Sequence, residues 1–477
     1  MGQYKKFLSN TLLLTIGSFS SKALSFFLVP LYTSILTPEE YGTYDLIITT
    51  VTLMTPFLTL IISEGVMRFC LEREKYDDRE ILTIGLLFVI LGSIVFTLFF
   101  PIFSKIKALS NYYLWIWLFF IVSNIHSVLM QYLKGIEEIK MYTVCGVIST
   151  FLSLTFNILF LVIFDLRIIG YMLSYVLAHV AIIIFVVYKI NLFALIVNPF
   201  KIKYSLYKEM LSYTIPMVPN SMSWWISDSS DKYIITWLMS SSALGIYSVS
   251  YKIPSLLTVV TGIFSSSFQI SAVEDFGSEN SKKFFENMYS MFSSLNVFVA
   301  VILIILAKPL AFILFQKDFF MAWKATTILL FAYVFNFLAG ILGTVYTSAK
   351  QTKLIFTSTV IGAVINVLLN LILIKKIGIL GAAVATLISY VCVWFLRLIN
   401  IKDILDFKID LKINIISYVL IVIEILLVIK DSVCSFIIAG IIALIVLVIN
   451  LRNLLKSEIF ESKVNKILRK FGKKENK

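Results

Sequence analysis

Charge is what this sequence has least of. Of its 477 residues, 14% are charged and 59% are hydrophobic, against roughly a quarter charged in an ordinary soluble protein. A water-soluble fold of this length needs far more polar surface, so a soluble enzyme or binding domain is excluded. Cysteine is scarce too: Cys70, Cys145, Cys392 and Cys434 stand singly in or beside apolar runs, which argues against a disulfide framework or a zinc site. The two histidines, His126 and His179, lie far apart in different apolar segments. No metal cluster and no compact Ser/His/Asp motif is therefore expected.

What the chain does have is apolar runs of membrane-spanning length, about 20 residues each. About fourteen are legible, at 8–36, 43–67, 81–103, 112–132, 142–164, 168–188, 209–239, 243–271, 287–307, 322–346, 354–374, 378–399, 413–429 and 433–451. The seventh and eighth carry polar residues in their interiors. The opening MGQYKKFLSN leads into an apolar run without an A-x-A-like cleavage site, so the first segment is expected to stay as a helix.

The net charge of +13 is explained by placement rather than by a nucleic-acid partner. With the N-terminus inside, the inner segments hold 29 Lys and Arg, the outer ones 8, and Lys22, Lys232, Lys252 and Lys324 lie within helices. That asymmetry follows the positive-inside rule and puts both termini in the cytoplasm. Connections are short. Residues 189–208 read as an amphipathic stretch on the membrane surface. The tail spaces Leu455, Ile459, Phe460, Val464, Ile467, Leu468 and Phe471 among Lys456, Lys463, Lys466, Arg469 and Lys470, a basic amphipathic helix suited to anionic headgroups.

An internal repeat divides the chain. Tyr41-Gly42-Thr43-Tyr44 matches Leu244-Gly245-Ile246-Tyr247 at an offset of 203. Lys140 and Asn157 match Lys353 and Asn370 at 213, and Ile169-Gly170-Tyr171 matches Leu380-Gly381-Ala382 at 211. Six helices per half give both halves the same orientation, a parallel repeat enclosing a central cavity. The expected fold is an all-α integral membrane protein: a six-helix bundle at 1–190, a linker at 191–208, and a second bundle at 209–400. Two further helices at 411–451 and the basic tail at 452–477 complete it.

Charges inside a bilayer are costly and usually face a cavity or one another. Lys22 and Lys252 fall near mid-depth of the first and eighth runs. Asp228 and Lys232 are spaced to pair on one helix face, with Asp231 between them, and Glu64 and Arg68 share the same spacing. All belong to the first two helices of each half. Their functional reading is a polar, cationic cavity for an anionic cargo; their structural reading is ion pairs that hold helices together. Lys324, beside Trp323, reads as an interfacial anchor, and the histidines as buried hydrogen-bonding residues. Pro30, Pro56, Pro216, Pro219 and Pro254 fall in the same four helices, where bends are expected. With the dense Ser at Ser18–Ser21 and Ser265–Ser267, they suit a lateral gate.

Several of these segments carry a resemblance. Gly17-Ser18-Phe19-Ser20-Ser21-Lys22, Leu28-Val29-Pro30-Leu31-Tyr32-Thr33 and Pro38-Glu39-Glu40-Tyr41-Gly42-Thr43-Tyr44-Asp45 resemble the start of Wzx-type polysaccharide flippases. Glu64-Gly65-Val66-Met67-Arg68-Phe69, Ile215-Pro216, Pro219-Asn220, Ser230-Asp231-Lys232-Tyr233-Ile234-Ile235 and Gly245-Ile246-Tyr247-Ser248-Val249-Ser250-Tyr251-Lys252-Ile253-Pro254 extend it. The resemblance implies the fold of the multidrug/oligosaccharidyl-lipid/polysaccharide (MOP) exporter superfamily. It implies movement of undecaprenyl-pyrophosphate-linked oligosaccharides, of O-antigen or capsule type, from the inner to the outer leaflet of the bacterial inner membrane. Alternating access coupled to a proton or sodium gradient is implied as well, with no other cofactor and no metal. Lys22, Lys232 and Lys252 are the cations it marks for the pyrophosphate. The expected partners are that lipid-linked oligosaccharide, membrane lipids and other polysaccharide-assembly proteins. A drug/cation antiporter of the same fold would carry acidic residues in its cavity, and a lipid II flippase more arginine. A membrane glycosyltransferase or polymerase would need larger outer loops, so no enzymatic activity is expected.

Overall fold

The computed structural model describes residues 26–72, 74–99, 101, 105, 109–276, 281–349, 351–405 and 411–456. Among these the chain is helical, without strands. The helices are α1 (Val29–Ile35), α2 (Pro38–Thr59), α3 (Ile62–Cys70), α4 (Asp78–Thr97), α5 (Tyr113–Gly135), α6 (Ile139–Asn157), α7 (Arg167–Lys189), α8 (Leu192–Leu195) and α9 (Tyr204–Thr214). There follow α10 (Met217–Leu238), α11 (Ser241–Ser250), α12 (Lys252–Asp275), α13 (Ser281–Leu314), α14 (Ala322–Ser348), α15 (Thr352–Ile377), α16 (Ile379–Asn400), α17 (Leu411–Ile429) and α18 (Val433–Lys456). Ten helices of the described residues are long and apolar enough to cross a membrane, and the bent pair α2–α3 would make eleven. This is a multi-pass membrane protein. Its large apolar side chains point outward, as at Ile94, Leu368, Leu426 and Leu444, while Ser, Thr and Asn are buried in the packing. Lipid as solvent permits that inversion.

Every apolar run after the first corresponds to a helix, but three of them are broken. The run 43–67 bends by 61° between α2 and α3, because Leu60 and Ile61 both adopt left-handed backbone (φ 52° and 55°). The run 209–239 breaks at Ile215–Pro216 into α9 and α10, and 243–271 breaks at Tyr251 into α11 and α12. The prolines expected to bend helices mostly start them. Pro30 lies in the first turn of α1, Pro216 directly precedes α10, and Pro219 and Pro254 fall in the first turns of α10 and α12. A first-turn proline removes no intrahelical hydrogen bond. Pro56, inside α2, is the exception in this set. Of the first run, 8–36, only the part from residue 26 lies within the described residues. Most of the basic tail, from residue 457, lies outside them.

The described residues form two compact units. One comprises the chain to Ser248 with Lys317–Phe319, and the other Val249–Gln316 with the residues from Phe320 on. The boundary thus falls within α11 and not in the linker at 191–208. Helix α10, assigned by sequence to the second bundle, packs in the first unit against α2. In that linker Leu192, Ile202 and Leu206 are buried while Phe193 and Phe200 are 82% and 97% exposed, so an amphipathic segment with a greasy outer face is what folds there.

The repeat is visible as packing within each unit. A Cβ on Gly42 would meet the Ser241 carbonyl oxygen at 1.9 Å, and one on Gly245 would meet the Pro38 carbonyl oxygen at 1.9 Å. Pro38 and Ser241, like Gly42 and Gly245, are 203 positions apart, so the contact is reciprocal: each glycine receives the first turn of the other's helix. Similarly, a Cβ on Gly170 would meet the Phe160 carbonyl oxygen at 2.9 Å, and one on Gly381 would meet that of Leu373 at 2.3 Å. Both are the matched glycines that let a helix turn back against its predecessor. Helix α2 opens with a capping box: Glu40 Oε2 accepts from the Thr37 amide at 2.8 Å, and Thr37 Oγ1 from the Glu40 amide at 3.2 Å.

In the second unit α14 is the buried centre, flanked by α12, α13 and α16, while α17 and α18 form a hairpin on α13. Arg397, within the apolar run 378–399, is buried in the last turn of α16. Its guanidinium donates to the Ala339 carbonyl at 2.7 Å and to Ser358 and Thr359 hydroxyls at 3.0 Å. Three neutral acceptors meet a cation there.

Two outcomes follow from this packing. Gly42→Ala and Gly245→Ala force helix backbones apart and should each destabilise the protein by about 1–3 kcal/mol. Gly146→Ala, whose Cβ meets nothing within 4 Å, should be neutral or better in a detergent thermal-unfolding assay. On the α9 surface, Glu209 accepts from Tyr76 Oη and pairs with Lys75 at 3.5 Å. The tyrosine hydrogen bond, aided by the lysine charge, holds the Glu209 carboxyl below the usual carboxylate range. A group so lowered contributes its stabilisation above the ordinary value, about pH 4.3, and loses it as pH falls further. Amide-exchange protection factors at Glu74–Asp77, which correct for the intrinsic pH dependence of exchange, should therefore stay flat from neutral to about pH 5 and fall only below that range.

Candidate functional site

The first unit concentrates charge where α2, α10 and α11 meet. On α10, Trp225, Lys232 and Tyr233 reach α2. Trp225 Nε1 donates to the Thr49 carbonyl and Thr52 Oγ1, both at 3.2 Å. The Tyr233 and Thr50 hydroxyls are 2.5 Å apart. Nearer the start of α2, Lys232 Nζ lies 2.9 Å from Asp45 Oδ2, an oxygen that also accepts from Ser248 Oγ at 2.7 Å. One residue back, Asp231 is buried and its Oδ2 accepts from Tyr247 Oη at 2.6 Å. Asp228, a turn earlier, is exposed.

The expected i,i+4 geometry on α10 gives way to a tertiary one: Lys232 crosses to Asp45 on another helix. The lysine and aspartate side chains are each only about a fifth exposed (20% and 22%), so the pair is worth more than a surface ion pair. Asp45 was legible in the Tyr41–Asp45 segment but carried no sign of its role. The signal that could have found it is the repeat itself. Asp45 and Ser248 are 203 positions apart, and their hydrogen bond extends the reciprocal contact of Gly42 and Gly245.

The other sequence candidates are distributed differently. Lys22 lies outside the described residues. Lys252 opens α12 and belongs to the second unit. Glu64 and Arg68, both on α3, do not pair with each other: Glu64 Oε1 accepts from Gln131 Nε2 of α5 at 2.6 Å, and Arg68 binds Glu72 at 2.6 Å. The helix end lets Arg68 reach forward into the loop, and the buried amide of α5 supplies Glu64 with a neutral donor. Lys324 rests over the Trp323 ring, 5.6 Å from its centroid. The two histidines, far apart in sequence, are brought together: His126 of α5 and His179 of α7 meet edge to face with ring centroids 4.7 Å apart. His179 also stacks on Tyr175 at 4.1 Å, and its Nδ1 lies 2.9 Å from the Tyr175 carbonyl. Among the described residues no group of three or more His, Cys, Asp or Glu could hold a metal.

The arrangement is thus a charge lock that joins α10 to α2, beside the contact of α2 with its repeat equivalent α11, in a membrane-embedded bundle. It can hold two helices together and, when opened, free a lysine. Comparison with known proteins places it. Residues 7–273 match the polysaccharide biosynthesis protein family. The chain belongs to that family. Residues 216–372 also match the MatE family. A curated relative, the probable low-salt glycan biosynthesis flippase Agl15 of Haloferax volcanii, is 26% identical over 195 residues, 38% of this chain and 39% of that protein. The chain therefore spans about two-fifths of the length of the curated relative it matches. Among solved structures, the lipid II flippase MurJ in an inward closed conformation aligns with TM-score 0.70 and 16% identity, over 94% of this chain and 100% of that one. An inward-facing multidrug resistance MATE transporter of the MOP superfamily aligns with TM-score 0.67 and 12% identity, over 81% and 95%. The expected MOP fold is the fold observed, and the family match contains the whole charge lock.

If Asp45–Lys232 is a lock, its partners should be interchangeable as a pair. Asp45→Ala or Lys232→Ala leaves a partly buried charge without its partner and should cost on the order of 2 kcal/mol or more in unfolding stability. The exchange Asp45→Lys with Lys232→Asp should recover much of that loss in the same assay. Additive losses in the double variant would show that the two side chains act separately.

Proposed function

We propose that this member of the polysaccharide biosynthesis family is a flippase. It carries undecaprenyl-pyrophosphate-linked oligosaccharide units from the cytoplasmic to the outer leaflet of the bacterial inner membrane by alternating access. The observation that carries the reading is the Asp45–Lys232–Ser248 lock, set on the reciprocal contact of Gly42 and Gly245. A pyrophosphate competing with Asp45 for Lys232 would draw the lysine away from α2 and loosen that contact. Cargo binding and helix separation would then be one event, and a ligand shifts a conformational equilibrium only through such differential contacts. Lysine suits the role because its ammonium is a compact point charge for an anionic oxygen. Lys22 and Lys252 are the further cations of this reading. Asp228, Asp231, Glu64 and Arg68 are the further polar residues assigned to cargo binding in this reading.

The orientation in this proposal has both termini in the cytoplasm, following the Lys and Arg asymmetry. The glycan-linked name of the Haloferax relative supports a lipid-linked oligosaccharide as cargo. The fold shared with MurJ also admits lipid II, and the experiment separates the two. In cells lacking the gene, Lys22→Ala, Lys232→Ala and Lys252→Ala should insert normally yet leave no surface polysaccharide, with lipid-linked units accumulating at the cytoplasmic leaflet. Normal polymer from all three variants would overturn the cationic reading. Rescue of cells depleted of their lipid II flippase would move the cargo to lipid II.

A further inference from the structure

Helix α17 carries a carboxylate that the charge lock does not use. Glu424 is fully buried, and neither of its carboxyl oxygens meets a hydrogen-bond partner among the described residues. It lies on one stripe of α17 with Asn414, Ser417, Ile421 and Val428, all buried. The polar members of that stripe join a seam with α13 and α18. Asn414 Oδ1 accepts from Ser293 Oγ at 3.1 Å, and Ser417 Oγ accepts from Asn450 Nδ2 at 3.0 Å. Asn453 Nδ2 donates to Ser290 and Ser294 at 3.3 and 2.8 Å. In the same seam Asn450 Oδ1 and Asn296 Oδ1 are buried without a donor. Hydrogen-bonding groups thus climb from the Leu411 end of α17 towards Glu424, which stands about 20 Å along the helix.

Among the described residues no countercharge meets this carboxylate. Of the elements packed on α17, helix α13 has Lys282, Lys283 and Glu286 at its start and Lys308 near its end, and Lys308 is bound to Asp431. Helix α18 has Arg452 and Lys456 at its last turns, α14 has Lys324 turned onto Trp323, and α17 itself begins with Lys412. The tyrosines on these elements are Tyr289, Tyr333, Tyr346 and Tyr418. A full charge without donor or partner in a membrane interior is expensive, and ionisable residues retained there usually carry ions or protons. The neutral acid fits the closed packing; the carboxylate requires the seam to admit water or to part.

We propose that Glu424 is a proton-carrying site. One proton from water is added to the carboxylate through the seam and one is returned to water when α13, α17 and α18 rearrange; only an O–H bond forms and breaks. The site itself stands apart from the flippase reading, and only its use as the driving ion for transport rests on that reading.

The test is infrared difference spectroscopy of the full-length protein in lipid as pH is raised. The expected signal is the carbonyl stretch of an isolated carboxylic acid, absent from Glu424→Gln, which declines reversibly while carboxylate bands grow. A band that stays constant while the protein remains folded would mark a permanently protonated structural group and overturn the proposal. So would its loss on adding sodium at constant pH, which would make the site a sodium site. In cells, Glu424→Gln should insert and abolish surface polysaccharide. Normal polymer from this variant would overturn the coupling role even if the band titrates, whereas failure of the flippase reading would leave the infrared result untouched.

Discussion

A charge placed in a bilayer has to find its partner inside the protein, because lipid offers neither water nor counter-ions. That constraint organises the first unit. Asp45 and Lys232 satisfy it by meeting across two helices at 2.9 Å, with Ser248 supplying a further donor to the same oxygen. For them to meet, α2 and α10 must lie close, and the tyrosine, threonine and tryptophan contacts further along α2 hold that spacing. For α2 and α11 to meet, side chains must be absent where backbones touch, which is why glycines stand at positions 42 and 245. The lock, the aromatic contacts and the glycines are therefore one device. In a bilayer the attraction between helices comes from packing and hydrogen bonds rather than from expelling water, so close backbone approach is the means available.

The repeat gives this device its symmetry. Two segments 203 positions apart present the same sequence of proline or serine, glycine and a polar residue to each other, and each supplies what the other receives. Such a contact is self-complementary, as at a two-fold interface. It also has two clear arrangements: closed, with carbonyls seated on glycines, or parted. A packed interface of this kind switches rather than deforms, which is the property that alternating access needs. The asymmetry lies in the charges. Position 45 is Asp, its equivalent at 248 is Ser, and the lysine comes from α10. One carboxylate, Asp45, thus receives both the lysine of α10 and the serine of α11.

Much of this was legible in the sequence, and the misses have physical causes. Apolar runs gave the spans because an outward-facing apolar helix is the same in any bilayer fold. The runs that broke, 43–67, 209–239 and 243–271, are the ones whose residues serve the lock. Composition cannot show that Leu60 and Ile61 take left-handed backbone, since no glycine marks the break. The Asp228–Lys232 and Glu64–Arg68 spacings suggested pairs on one helix. Tertiary partners took Lys232 and Glu64 instead, and Arg68 turned forward along its own chain to Glu72, so spacing alone did not choose among the neighbours on offer. His126 and His179 show the converse: separation along the chain says nothing about separation in a bundle, where α5 and α7 are neighbours. Arg397 lies at the end of an apolar run, yet three neutral acceptors hold it in the packing. Charge statistics orient a membrane chain; they do not locate each charge.

Glu424 and Lys232 are two solutions to the same constraint, and their difference bears on mechanism. Lys232 keeps its charge by holding a partner, so whatever separates the pair must offer another anion. In the proposed reading that anion is the cargo. Among the described residues Glu424 has no partner to exchange, so its way of remaining buried is to lose its charge by taking a proton. As a proton site it would take the smallest ion available, through a seam of Asn and Ser that needs no large opening. In the proposed reading a transporter needs both kinds of site: one that recognises the load and one that admits energy without competing for it.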